Sequence, residues 1–131
     1  MRLAVVVVAA LLAAHSPPSH AQSDAIPPLT LVGTWNASMH GPDGRVIAMN
    51  VIVMSNMKFS WSASTNGKPV MDCSGTWELV ERRLTWHYVK CSFALPESEK
   101  DDVDDIVSID ATRMVLASHL SGEAHVYVRS K

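Results

Sequence analysis

From Leu31 onward, apolar and polar residues alternate along most of the chain, and a period of two marks half-buried strands. Over residues 31–39, Leu31, Trp35, Ala37 and Met39 share one face while Thr34, Asn36, Ser38 and His40 share the other. Gly41-Pro42-Asp43-Gly44 follows with turn chemistry, Pro presetting φ and Gly admitting positive φ. Residues 45–55 are rich in β-branched side chains and apolar on both sides, which predicts a strand partly covered on each face. After a short link at Asn56-Met57, Phe59, Trp61 and Ala63 alternate with Ser60, Ser62 and Ser64.

Asn66-Gly67 is a strong hairpin signal, because a type I′ turn needs positive φ at both central positions. It opens a long strand over residues 68–80, in which Gly75 marks a bulge or bend. Glu81-Arg82-Arg83 turns the chain into a strand over 84–93, and residues 94–105 (ALPESEKDDVDD) read as a polar acidic loop. Three shorter strands, 106–110, 114–119 and 124–129, complete the pattern. No window of helical length has a 3.6 period, beyond a turn or two in the acidic loop. About eight short strands joined mostly by tight turns predict an all-β barrel or sandwich, and sequential hairpins favour the antiparallel up-and-down barrel. The barrel domain is expected over residues 31–131.

The N-terminal pattern is different. Arg2 precedes a continuous apolar stretch over residues 3–14, and small residues at Ser19 and Ala21 follow, as in a secretory signal peptide cut after Ala21. A spanning helix needs about 20 apolar residues, so no membrane anchor is expected, and no cysteine follows the apolar stretch to carry a lipid. Residues 1–21 are therefore read as signal peptide and residues 22–30 (QSDAIPPLT) as a flexible lead. About 110 residues remain, enough for one domain. Export implies the periplasm or secretion, an oxidising setting in which Cys73 and Cys91 pair by default.

Hairpin arithmetic agrees with that pairing. If Glu81-Arg82-Arg83 is a three-residue loop, Val80 faces Leu84 and Cys73 falls opposite Cys91. A two-residue turn shifts the register by one, and a bulge at Gly75 restores it.

Gly33-Thr34-Trp35, in the first strand, resembles the Gly-x-Trp signature of lipocalins and of small lipocalin-like domains in bacterial exported proteins. That resemblance implies an eight-stranded barrel with a pocket open at one end. It also implies that Trp35 packs across the closed end, covered by a basic residue of the last strand, for which Arg129 is the match. Gly75-Thr76-Trp77 repeats the triplet. Residues 31–36 (LVGTWN) also resemble the opening of avidin-type biotin binders, a likeness of architecture only.

Charge and motifs narrow the function by exclusion. Without Arg2, ten basic side chains face thirteen acidic ones, a net charge of about −3 with no Lys/Arg stripe, so composition argues against nucleic acid and anionic lipid as partners. No nucleophile elbow, His-Glu-x-x-His or phosphate loop is present, and Glu78 and Glu81, three apart in strand, face opposite sides. No catalytic residue, cofactor or metal is expected. Met39, Met49, Met54, Met57, Met71 and Met114 lack the short repeats of copper-binding methionine tracts and read as core filler. The acidic stretch lacks the Gly and ligand spacing of a calcium loop.

Two functions fit an exported non-enzyme. One is a lipocalin-like binder of a small, largely apolar molecule, with Phe59, Trp61 and Trp77 as the wall the ligand touches and Gly33, Trp35 and Arg129 as the floor. The other is a periplasmic protein–protein module, an inhibitor, immunity protein or envelope accessory factor, acting through its surface.

Overall fold

The computed structural model describes residues 25–131; the signal peptide assigned to 1–21 and the first residues of the lead lie outside the described residues. Eight strands follow in order: β1 (Gly33–His40), β2 (Val46–Val53), β3 (Lys58–Thr65), β4 (Lys68–Val80), β5 (Arg83–Cys91), β6 (Asp101–Ile109), β7 (Arg113–Ser118) and β8 (Ala124–Arg129). Each pairs antiparallel with its sequence neighbours and β8 returns to β1, closing an up-and-down barrel. Among the described residues, no helix is long and apolar enough to cross a membrane.

Closure makes the period-two pattern an inside–outside code. The registers bring Trp35 level with Val51, Val51 with Trp61 and Trp61 with Cys73, and from β1 to β8 these inward rows make a single interior. Among the described residues no second layer covers the outside. The residues of β2 expected to be covered on both faces therefore separate: Met49, Val51 and Val53 are buried, whereas Val46 and Ile52 are exposed to solvent.

Turn chemistry sets the registers. Asn66 and Gly67 both have positive φ, 53° and 74°, as the β3–β4 hairpin requires. Of the two β4–β5 loop lengths the sequence left open, the structure has the two-residue one: Val80 pairs with Arg83, leaving Glu81 (φ 58°) and Arg82 at the turn. The register is restored by a bulge, since Gly75 faces Tyr88 while Ser74 faces Lys90, so Val89 is the extra residue. Cys73 is then opposite Cys91, and the two form the disulfide. A Cβ on Gly75 would lie 1.8 Å from the His87 carbonyl oxygen, so a side chain there would push the two strands apart at the bulge.

The segment 94–105 is also corrected. Strand β5 stops at Cys91, a 3-10 turn occupies Glu97–Glu99, and β6 begins at Asp101. The aspartates thus belong to a paired strand, with Leu84 opposite Asp104 and Trp86 opposite Asp102. In the lead, Pro28–Thr30 forms a 3-10 turn, the Ile26 N–H donates to the Glu81 carbonyl at 3.2 Å, and the Ile26 side chain packs against the core.

One end of the barrel is filled. Leu31, Trp35, Val53, Phe59, Trp77, Leu84, Ile106 and Met114 are the largest fully buried side chains, and they meet where β1 begins and the β2–β3 and β4–β5 hairpins turn. The Trp35 indole N–H donates to the Leu31 carbonyl at 2.9 Å. Arg129 lies over the Trp35 ring, 4.1 Å from its centroid. Its guanidinium donates to three carbonyls, those of Ala111 (2.8 Å), Val32 (2.7 Å) and Thr30 (2.8 Å). Gly33 makes room: its φ is +145°, and a Cβ there would stand 2.3 Å from Arg129 Nη1.

Candidate functional site

At the opposite end the interior is not filled. A cavity of about 250 Å³ opens there, lined by Met39, Met49, Val51, Trp61, Trp86, Tyr88, Asp102, Asp104, Ser118, His125 and Tyr127. An eight-stranded barrel is wide enough to be plugged by its own side chains or to hold one small ligand; here one end is plugged and the other keeps an open cavity.

The aromatic wall is braced from below. Phe59, almost fully buried, meets Trp86 edge-on at 4.9 Å between centroids and Tyr88 at 5.7 Å, both at 70° between planes. Phe59 therefore supports the cavity wall from within the core and is not part of its lining. Trp77 also lies in the core, its indole N–H donating to the Met54 carbonyl at 3.1 Å near the β2–β3 hairpin. Of the three aromatic residues assigned to ligand contact from the sequence, Trp61 is the one that borders the cavity. It is partly exposed and level with the disulfide through its pairing with Cys73.

The polar half of the lining comes from residues of β6, β7 and β8 that the sequence pattern did not assign to the site. Alternation along β6 turns Asp102, Asp104 and Ile106 inward and Asp101 and Asp105 outward. The outward pair is matched by cations or histidines: Asp101 meets His87 Nδ1 at 2.5 Å, and Asp105 meets His119 Nδ1 at 3.0 Å and Arg83 Nε at 3.5 Å. Inside, Asp104 accepts a hydrogen bond from the Trp86 indole N–H at 2.9 Å. Asp104 is pushed up to about 6, chiefly by its partial burial and further by the Asp102 charge; the Trp86 hydrogen bond and His125 oppose the rise. The Tyr127 phenol is pushed up to about 12 by burial and by the carboxylates of Asp104 and Asp102, and Tyr88 is raised for the same reasons.

Asp102, Asp104, His125, Tyr88 and Tyr127 were all missed as site residues. Their signal was present in the alternation Asp102, Asp104, Ile106, which continues a core row into the acidic run. Among the described residues no group of three His, Cys, Asp or Glu side chains converges closely enough to hold a metal ion. No protein-family model matches the chain, and no curated protein matches it either.

Proposed function

We propose that the chain is an exported, lipocalin-like binding protein that holds a small, largely apolar ligand in the mouth of its barrel. The observation that carries this reading is the cavity: an aromatic-walled space, closed below by the packed core and open above. Its 250 Å³ lies just under the roughly 300–1,000 Å³ of drug-sized sites, which points to a compact ligand. The lipocalin-like assignment is supported by Gly33, Trp35 and Arg129 packed together at the closed end. Export is supported by the signal-like pattern of residues 1–21. Binding is favoured over catalysis because, although Ser118 and His125 both border the mouth, the Ser118 hydroxyl accepts from the Ser121 N–H and among the described residues no hydrogen bond joins it to His125.

The protein–protein reading has a weaker observation behind it. Val126 and Val128 expose apolar surface on the outer face of β8, but isolated surface valines are ordinary in monomeric proteins.

Titration of the protein and of Trp61→Ala with a panel of small neutral aromatic probes tests the proposal. Saturable binding by the parent, weakened about tenfold or more by Trp61→Ala at little cost in stability, supports the mouth as the site. A parent that binds none of them, while native mass spectrometry from the host shows a stoichiometric protein partner, would replace it with the surface reading.

A further inference from the structure

Resting on that small-molecule reading, we infer that the barrel mouth selects a cation: a compact organic ammonium group carried on an apolar or aromatic body. The lining contains four aromatic rings, Trp61, Trp86, Tyr88 and Tyr127, and two carboxylates, Asp102 and Asp104, but no lysine or arginine. Its one basic group, His125, sits 4.0 Å from Glu123 at the rim. Elsewhere on the same strand the protein matches its aspartates, Asp101 with His87 and Asp105 with His119 and Arg83. The two that face the cavity, Asp104 partly buried and Asp102 exposed at its rim, form no ion pair with a lysine or arginine among the described residues, so the cavity carries negative charge beside its aromatic walls.

Two physical consequences follow. An anionic ligand such as a fatty acid would bring its carboxylate against two others in a partly desolvated space, where like charges repel more strongly than in water. A cation meets the reverse: two carboxylates and four aromatic rings share one lining, the groups by which aromatic cages recognise ammonium ions. Spacing separates an ammonium ion from a bare metal ion. Asp102 and Asp104 are alternate residues, about 6–7 Å apart along the strand, which suits a bulky ammonium group lying between them. The Trp86 indole, held by its hydrogen bond to Asp104 and by the edge of Phe59, fixes one wall in place before any ligand arrives.

The test compares three probes of similar shape: benzyltrimethylammonium, its uncharged carbon isostere neopentylbenzene, and benzenesulfonate. Each is titrated into the protein and into Asp102→Asn/Asp104→Asn, with tryptophan fluorescence and the Trp86 indole N–H resonance as readouts. The expected result is saturable binding of the ammonium probe at least about tenfold tighter than its isostere, no binding of the sulfonate, and loss of that preference in the double variant. If the isostere binds the parent as tightly as the ammonium probe, the inference is overturned and the small-molecule reading survives. If neither probe moves a cavity resonance, both fall. The comparison of probes on the parent decides the matter even if the double variant does not fold.

Discussion

The two ends of this barrel are built from the same inward rows and have opposite character. At the closed end Trp35, Trp77, Phe59 and Leu84 fill the interior, and Arg129 lies across the Trp35 ring with three carbonyls accepting from it. At the open end the rows continue as Asp102, Asp104, Ser118 and His125, and space remains between them. Inward-facing therefore means two things along one strand: Ile106 is buried packing, and Asp104 two residues earlier lines the open cavity. One end provides stability and the other, on the proposed reading, is left free for recognition. Substitutions at each end should therefore separate the two properties.

The largest effect is expected from Trp35→Ala. Emptying the floor should cost about 3–5 kcal/mol, read by denaturant unfolding, whether or not a ligand is present. Next comes the disulfide, which closes a loop of sequence separation 18. Reducing it, or replacing both cysteines by serine, should cost about 3 kcal/mol on the chain-entropy account. Titration of the unreduced, denatured protein should find no free thiol. Gly75→Ala should cost about 1–3 kcal/mol, because the new methyl meets the His87 carbonyl and the backbone must shift to admit it. A thermal midpoint unchanged by that substitution would remove the close approach at the bulge from the account of the fold.

The smallest effects fall at the mouth, and one has the opposite sign. Since Asp104 is raised in the folded protein to about 6, above the ordinary value of about 3.9, the folded state favours its proton. The stability this provides is full below about pH 4 and is lost as pH rises through about 6. Asp104→Asn should therefore stabilise the protein at pH 7, on the order of 1 kcal/mol after allowance for solvent screening, and leave it unchanged near pH 4. Its neighbour behaves in reverse. Asp105, outward and held below the usual carboxylate range chiefly by the hydrogen bond with His119, adds stability at neutral pH that is lost as pH falls through its lowered value. Unfolding midpoints of the two Asp→Asn variants measured from pH 4 to pH 7 should move in opposite directions.

That contrast between adjacent aspartates also explains what the chain made legible. Strand number, hairpin order and the Cys73–Cys91 pairing follow from period-two alternation, from Asn66-Gly67 and from register arithmetic, all of which are local. The turn at Glu81-Arg82 and the bulge at Gly75 compensate one another, so either loop length counted along the chain arrives at the same two cysteines. The acidic run was not legible in the same way. Four aspartates in five residues suggest solvent on all sides, and the mouth of a barrel is a place where an inward side chain keeps its water. A sequence alone does not distinguish that interior from the exterior. Phe59 and Trp61 share one face of β3 and differ only in depth, which alternation does not encode.

The seam between β1 and β8 has a kinetic consequence. Every other strand pair is a hairpin, formed by neighbours that meet early, whereas Arg129 reaches Val32 and Thr30 across 97 and 99 residues. The register at the seam runs only from Trp35–Arg129 to Asn36–Val128. Bringing such distant segments together carries the largest loop-closure entropy of any pairing in the molecule, and topologies dominated by such contacts fold slowly. Ring closure should accordingly be the last event in refolding. Seated under Arg129, Trp35 is the natural reporter of it: its fluorescence should settle more slowly than strand formation seen by far-ultraviolet circular dichroism.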